Sequence, residues 1–276
     1  MDVELVAGIV VERIGEGEPL LLIHGTGGSR LMWKPVLGRL SREREVLVID
    51  LPGHGDSPLP PADVSPTPIG YAQMLDPVLR TLGHDSVHVA GISVGGWTAL
   101  ELAKQGTARS VVAFGPAGLW RKRDPKDAVL KLWLSRKLGS PILPLTRRML
   151  RSPRGRKVVL GGEMARPERI PVEDAIGLVE DFAAAPGFDA HLSATKRERF
   201  TGGDSIEAPV TVAFGDQDKL LNPRRARVRD ELPRQTRWLD LPNCGHVPTW
   251  DDPELVTRTI LEGSRTESAG SAGSQR

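Results

Sequence analysis

The sequence predicts an α/β protein in which a mostly parallel sheet is flanked by helices and interrupted once by a helical insertion. Three observations carry that prediction. Apolar runs of strand length alternate with segments of helical period as far as residue 118, and again from 209 onward. The runs Leu20-Leu21-Leu22-Ile23 and Val46-Leu47-Val48-Ile49 are apolar without alternation, as expected of strands covered on both faces. From Leu119 to about Ile206 no such run occurs, and prolines at 141, 144, 153, 167, 171 and 186 divide helical patterns from one another.

The elements follow in order. Val3 to Ile14 combines alternation with the run Ile9-Val10-Val11, ahead of the turn Gly15-Glu16-Gly17-Glu18-Pro19, so a first hairpin is expected there. The Leu20 strand leaves through His24-Gly25-Thr26-Gly27-Gly28-Ser29, after which Trp33, Val36, Leu37 and Leu40 fall at helical spacing, with Trp33 in the core. The Val46 strand leaves through Leu51-Pro52-Gly53-His54-Gly55-Asp56-Ser57. A proline-rich loop leads into a helix over about 69–82, then the strand Val87-His88-Val89-Ala90, the turn Gly91-Ile92-Ser93-Val94-Gly95 and a helix to Lys104. Ser110 to Gly115 forms the next strand. Inside the insertion, Val129, Leu132 and Trp133, and later Ile176, Val179 and Phe182, mark helices. The sheet resumes with Pro209 to Phe214. A helix is expected near Pro223 with Asn222 as its cap, then a strand over Trp238 to Leu241 and a last helix from Pro253 to Leu261. Residues 264–276, rich in Ser, Gly and Ala, read as a disordered tail. The organisation is a core of 1–118 and 207–263 around an insertion of 119–206.

Composition narrows the function classes. A chain of 276 residues, 39% hydrophobic and with a net charge of +2, is long enough to bury a substantial core. The first residues, Met1-Asp2-Val3-Glu4, have no basic leader pattern, and no segment nears the roughly 20 apolar residues that cross a bilayer. The expectation is a soluble, cytoplasmic protein without stable membrane insertion. One cysteine, Cys244, allows no internal disulfide and no cysteine-based zinc site, which suits a reducing compartment. The small net charge and the lack of a nucleic-acid motif argue against a nucleic-acid partner. The oligomeric state is left open.

The chemistry centres on Gly91-Ile92-Ser93-Val94-Gly95. A serine forced into a sharp turn at a strand end needs neighbours without side chains, so that the following helix can pass close, and that geometry exposes its hydroxyl. A serine hydroxyl is a poor nucleophile alone and needs a histidine base oriented by a carboxylate. His54 is a candidate base, with only Asp50 or Asp56 placed to orient it. His246, after Asn243-Cys244-Gly245, is another. Asp216 and Asp218 both follow the Val210 strand, at the sheet edge where catalytic side chains of open α/β folds collect. The glycine-rich loop after the Leu20 strand offers backbone N–H groups at the same edge, where a developing oxyanion can be bound. It lacks the Gly-Lys-Ser/Thr and Gly-x-Gly-x-x-Gly spacings of nucleotide loops.

Together, His24-Gly25, Gly91-Ile92-Ser93-Val94-Gly95, Gly215-Asp216-Gln217-Asp218 and Gly245-His246 make the chain similar to the α/β-hydrolase superfamily over nearly its whole length. The resemblance implies an eight-stranded, mostly parallel sheet with a helical cap between its sixth and seventh strands, which is where the insertion falls. It implies Ser93 as nucleophile, His246 as base and, through the pattern Gly-x-x-Asp, Asp218 as the acid. Asp216 then ties the turn through backbone hydrogen bonds. The oxyanion hole falls to the N–H groups of Val94 and Thr26, with Gly27 in reserve. No metal or organic cofactor is called for. Cys244 is read as packing.

The function so implied is a serine hydrolase cleaving a small or medium carboxylic ester, or a thioester, lactone or amide, through an acyl-enzyme. Its partner is a small-molecule substrate with an apolar portion. Carbon–carbon bond hydrolases of ring-cleavage products resemble this fold but have an aromatic residue after the catalytic histidine, where this chain has Val247. Epoxide hydrolases and haloalkane dehalogenases of the fold use an aspartate nucleophile, against which Ser93 argues. A ligand-binding receptor that keeps the three residues is the reading from another class. Between Arg121 and Arg169 stand fifteen Lys and Arg against four acidic residues. Leu130, Leu132, Trp133 and Leu134 are expected to bury against the sheet edge above Ser93, giving an apolar pocket, and the basic exterior reads either as a solvated helical face or as a field that draws in anionic substrates or surfaces.

Overall fold

The computed structural model describes residues 2–120, 126–139, 141–196, 198–222 and 226–265. Eight strands make one sheet: β1 (Asp2–Val6), β2 (Ile9–Ile14), β3 (Glu18–Ile23), β4 (Arg44–Asp50), β5 (Val87–Ile92), β6 (Ala108–Phe114), β7 (Val210–Gly215) and β8 (Arg237–Leu241). Their order is β1-β2-β4-β3-β5-β6-β7-β8. β2 runs antiparallel to β1 and to β4, and the remaining neighbours are parallel. The sheet is therefore mostly parallel, as the unalternated apolar runs require.

The first hairpin turns at Ala7-Gly8, both at positive φ, the two-residue geometry that matches strand twist. The Gly15 to Pro19 turn does not close a second hairpin: β2 pairs with β4, and β3 lies between β4 and β5. β3 is apolar from Pro19 to Ile23 and buries all five residues, so it takes a central position with two neighbours.

Four helices cover the sheet: α1 (Lys34–Leu40), α2 (Pro68–Thr81), α3 (Val94–Lys104) and, at the end of the chain, α9 (Pro253–Gly263). Alternation along each strand sends side chains to opposite faces. Leu21, Ile23, Leu47 and Ile49 join Leu75 and Leu79 of α2 and Leu100 of α3 in one core. Leu20, Leu22, Val46 and Val48 join Val36 and Leu40 of α1 and Val256 and Ile260 of α9 in the other, along with Trp33. Each such fully buried aliphatic side chain contributes about 2 kcal/mol relative to exposure. α2 starts where the Thr67 hydroxyl accepts from Gly70 N–H (3.3 Å) ahead of Pro68, and α9 where Asp252 accepts from Leu255 N–H (2.9 Å) ahead of Pro253.

Between β6 and β7 the described residues form helices α4 (Lys126–Gly139), α5 (Leu143–Leu150), α6 (Pro153–Leu160), α7 (Val172–Ala184) and α8 (Phe188–Thr195), and no strand. Three expectations need correction here. Leu130, Trp133 and Leu134 do not bury against the sheet edge; they are exposed, and of the four residues expected to bury there Leu132 faces inward. α4 is apolar around most of its circumference, and one helix can present only one face to the core. The helix expected from Pro223 begins on residues outside the described ones. From Ala226 to Arg234 the chain runs in bends and turns, and Ala226 N–H donates to the Asn222 carbonyl (3.1 Å). Ser264, the first residue of the tail expected at 264–276, instead packs buried at the end of α9, and 266–276 lie outside the described residues.

β5 delivers Ser93 to the carboxyl edge of the sheet. A Cβ on Gly91 would stand 2.2 Å from the Gly95 carbonyl oxygen, and one on Gly95 would stand 2.2 Å from that of Ile23. Only glycine lets α3 leave β5 this closely. Gly95→Ala is expected to cost about 3 kcal/mol or more through overpacking against rigid backbone, measured as a lower urea midpoint with an unchanged slope.

Candidate active site

Ser93 has φ 57° and ψ −116°, a conformation a side-chain-bearing residue holds only when its surroundings over-determine it. Here they do. Ser93 N–H donates to the Phe114 carbonyl of β6 (2.9 Å), and the Ser93 carbonyl accepts from Trp97 N–H (3.1 Å) and Ala117 N–H (3.0 Å). The residue is otherwise buried, yet it lines two adjoining cavities that also share Thr26, Leu132 and Leu220. Their walls are mostly apolar: Val94, Trp97, Trp120, Val129 and Leu192 in one, Met32, Ile92 and Val247 in the other.

His246 lines the second cavity together with Ser93. Its Nδ1 lies 2.7 Å from Asp218 Oδ2, and a carboxylate can only accept, so Nδ1 carries the proton and donates. Nε2 then holds the lone pair, and it has no hydrogen-bond partner among the described residues. Asp218 is itself fixed, because its Oδ1 accepts from Leu220 N–H (2.9 Å) and Leu221 N–H (2.8 Å). Gly115 makes room for the pair: at φ 47° its missing Cβ would lie 3.2 Å from His246 Nδ1 and 3.4 Å from Asp218 Oδ2.

The structure separates the other candidates. Asp216 is exposed, and it is Asp218, not Asp216, whose oxygens tie the turn, so the expected role of Asp216 is corrected. His54 is buried with Nδ1 3.0 Å from the Pro52 carbonyl, and burial, with the neighbouring His24 adding to it, lowers its pKa to about 3. Among the described residues no carboxylate bonds its ring, so it lacks the orienting partner a base needs. Burial likewise lowers His24 to about 4; its Nε2 accepts from Leu51 N–H (2.9 Å), tying the ends of β3 and β4 together. Burial, aided by the charges of Asp251 and Asp252, raises the Cys244 thiol to about 12, which suits packing and not attack.

Thr26 lies in the loop after β3 and lines both cavities. His191 of α8 holds its side chain. His191 Nδ1 donates to the Pro66 carbonyl (2.9 Å), and burial, then the adjacent His54, lowers its pKa to about 3; the neutral ring therefore accepts at Nε2 from the Thr26 hydroxyl (3.3 Å). Val94 opens α3, so its N–H is one of the first-turn donors that have no partner within the helix. Gly27 packs against the rings of Phe182 and Phe188 and lines neither cavity.

Two residues escaped the sequence reading. Glu163, just after α6, lines the cavity beside His246. Burial raises its pKa, which the His246 charge offsets and the Asp218 charge reinforces. Asp251 clamps the segment that carries it: its carboxylate accepts from Gly245 N–H (2.7 Å), Arg166 N–H (2.7 Å) and Ala165 N–H (3.0 Å), while Val247 N–H donates to the Glu163 carbonyl (3.0 Å). Asp251 reads in sequence as part of an Asp-Asp-Pro helix start, and nothing in the local pattern marks Glu163. Among the described residues no group of three His, Cys, Asp or Glu side chains is placed to hold a metal ion.

Burial opposes charging of His246, yet the Asp218 charge and hydrogen bond, with the Glu163 charge, raise its pKa above the ordinary 6.5. The ring is therefore neutral at Nε2 only above that raised value. Glu163→Gln removes one of the raising charges, so the His246 midpoint, followed by NMR, should move to lower pH, and Asp218→Asn should move it further.

The family model described as "Alpha/beta hydrolase family" matches residues 20–259. The chain is 32% identical over 192 residues to an epoxide hydrolase of Mycobacterium tuberculosis, spanning 66% of this chain and 87% of that one. It is 26% identical over 268 residues to a pimeloyl-acyl-carrier-protein methyl ester esterase of Nitrosospira multiformis, spanning 93% and 98%. Among solved structures, a thermophilic esterase from Thermogutta terrifontis superposes with a TM-score of 0.73 at 23% identity, over 95% of this chain and 97% of that one.

Proposed function

The chain belongs to the alpha/beta hydrolase family, and we propose that within it this protein is a serine hydrolase cleaving a small or medium carboxylic ester, with thioester, lactone and amide bonds as chemical neighbours. The observation that carries the reading is the Asp218–His246 hydrogen bond of 2.7 Å in a site whose cavity also contains Ser93 on its strained turn. His246 Nε2 takes the Ser93 proton as Oγ attacks the carbonyl carbon. The tetrahedral oxyanion is held by the N–H groups of Thr26 and Val94. On collapse the leaving alcohol takes the proton from His246, and an acyl group remains on Ser93. Water then loses a proton to His246, attacks the acyl carbon, and the acid leaves as Ser93 recovers its hydrogen. Asp218 keeps the imidazole in the required tautomer and balances the imidazolium. The helices between β6 and β7 act as a cap, since Ala128, Val129 and Leu132 of α4 and His191 and Leu192 of α8 line the cavity. Its apolar lining suits a substrate with an apolar portion.

One relative is an epoxide hydrolase by name and another a methyl ester esterase. The nucleophile position supports the ester, because epoxide opening in this fold uses an aspartate where this chain has Ser93. The absence of an aromatic residue after His246 sets the carbon–carbon hydrolase reading aside: Val247 is there, and Trp250 is packed into the core. The single cysteine supports a cytoplasmic location. Among the described residues no helix is long and apolar enough to cross a membrane.

A fluorophosphonate probe should label the wild-type protein at Ser93 and leave Ser93→Ala unlabelled and correctly folded. Against a panel of esters, thioesters, lactones and epoxides, Ser93→Ala should lose on the order of a million-fold in turnover. Asp218→Asn should lose roughly ten-thousand-fold, and Asp216→Asn little. Turnover of epoxides alone, or retained activity in Ser93→Ala, would overturn the assignment.

A further inference from the structure

The feature that the site leaves unexplained is the outer face of α4. Of eleven exposed large apolar side chains among the described residues, seven lie between residues 130 and 158. Leu130, Trp133, Leu134 and Leu138 recur at helical spacing along α4, and they are 53%, 43%, 38% and 64% exposed. On the opposite side of the same helix, Ala128, Val129 and Leu132 line the cavity that contains Ser93. A surface helix of a soluble protein normally turns polar residues outward, so a helix apolar on both faces has one face still to be covered.

The charges around it say what covers it. From Lys126 to Leu160 the sequence holds ten Lys and Arg and a single acidic residue, Asp127. Lys131 and Lys137 lie on α4 itself, and Arg148, Arg151 and Arg154 are exposed on the segment that follows. A second copy of the chain would set this cationic segment against itself in a two-fold contact. A nucleic acid would meet the positive charge but give the leucines and the tryptophan no apolar surface. An anionic lipid surface satisfies both, with phosphate headgroups for the basic side chains and a hydrocarbon boundary for the apolar ones. Trp133 is of the type that lodges at such a boundary, with an apolar body and a polar N–H.

We propose that the outer face of α4, with the basic residues that follow it, docks the protein peripherally on an anionic membrane surface, placing the helix that roofs the Ser93 cavity against the lipid. This docking is independent of the hydrolase reading, because binding is its readout. The area available is one short helix face, so the contact is reversible and depends on both the apolar and the electrostatic parts.

The test is co-sedimentation of the full chain with vesicles, of phosphatidylcholine alone or with about 30% phosphatidylglycerol, at low and high salt. The wild type should bind the anionic vesicles at least about tenfold more tightly than the neutral ones, and lose most of that preference at high salt as screening shortens the reach of the field. Trp133→Glu combined with Leu138→Glu, at two already exposed positions, should weaken binding about tenfold or more while leaving hydrolysis of a soluble short-chain ester unchanged. Arg148→Glu with Arg151→Glu should remove the preference for anionic vesicles. Ser93→Ala should bind like the wild type, which separates failure of docking from failure of the hydrolase reading. Equal affinity for both vesicle types, undiminished binding in the Trp133/Leu138 variant, or a dimer in sedimentation velocity that dissolves in that variant without vesicle binding would each overturn the proposal.

Discussion

The backbone of Ser93 is the constraint on which the rest of the molecule depends. A side-chain-bearing residue at φ 57° and ψ −116° costs roughly 1–3 kcal/mol, and it persists here because every route out of the conformation is blocked. Its N–H and carbonyl are engaged by Phe114, Trp97 and Ala117. The helix that follows is pressed onto β3 at Gly95 so closely that no methyl group fits. That close approach needs β3 and β5 as sheet neighbours, which in turn needs their unbroken apolar faces to be covered on both sides by helices. The two cores are thus the source of the force that holds one serine out of its preferred geometry.

The histidines illustrate how one residue type is assigned opposite tasks by its surroundings. His24, His54 and His191 are buried near one another, with ring centroids 5.5 Å apart for the first pair and 6.3 Å for His54 and His191. Desolvation removes their charge and they serve as neutral hydrogen-bonding pieces that tie loops together. His246 is equally buried, yet a carboxylate bonds its Nδ1 and a second carboxyl group stands nearby, so its charged form is favoured. The distinction lies in the acidic partners and not in exposure. A ring that can accept a proton beside an apolar cavity is what the other three lack.

The sequence carried the strand pattern, the turn at Ser93 and the loop of His246 because each is written in local residues: glycines flanking a serine, apolar runs, turn signals at strand ends. The choice of Asp218 over Asp216 came from the resemblance, through Gly-x-x-Asp, and its physical basis is not local. It rests on which carboxylate meets a ring 28 positions later and on the two N–H groups that hold it. Glu163 was illegible for the same reason, since its place beside His246 comes from the Asp251 clamp, 85 and 86 positions beyond the two N–H groups of its own segment that Asp251 binds. The order of β2, β3 and β4 was also beyond a local reading, because a turn of five residues serves a hairpin and a jump across a neighbouring strand equally well. The facing of α4 failed differently: with apolar residues on most of its circumference, the periodicity does not choose a side.

The helical segment between β6 and β7 is fastened to the core unequally, and this has a mechanical consequence. At residues 163–166 the attachment is backbone to site: Asp251 binds three N–H groups across the His246 loop, and a Cβ on Gly245 would stand 2.6 Å from the Glu163 carbonyl oxygen. α4 is held instead by long side chains reaching carbonyls, Lys131 to Lys219 (2.8 Å) and Arg136 to Ala185 (2.9 Å) and Phe182, with the Arg136 guanidinium over the Phe188 ring. Such contacts can lengthen or re-form through rotamer changes, whereas the Asp251 clamp cannot move without moving His246. The end of the segment that borders the Asp218–His246 pair is therefore held through backbone groups, and the end that roofs the cavity through side chains. A substitution on the outer face of α4 therefore leaves both the cavity lining, which Ala128, Val129 and Leu132 supply from the opposite side of the helix, and the Asp218–His246 pair in place.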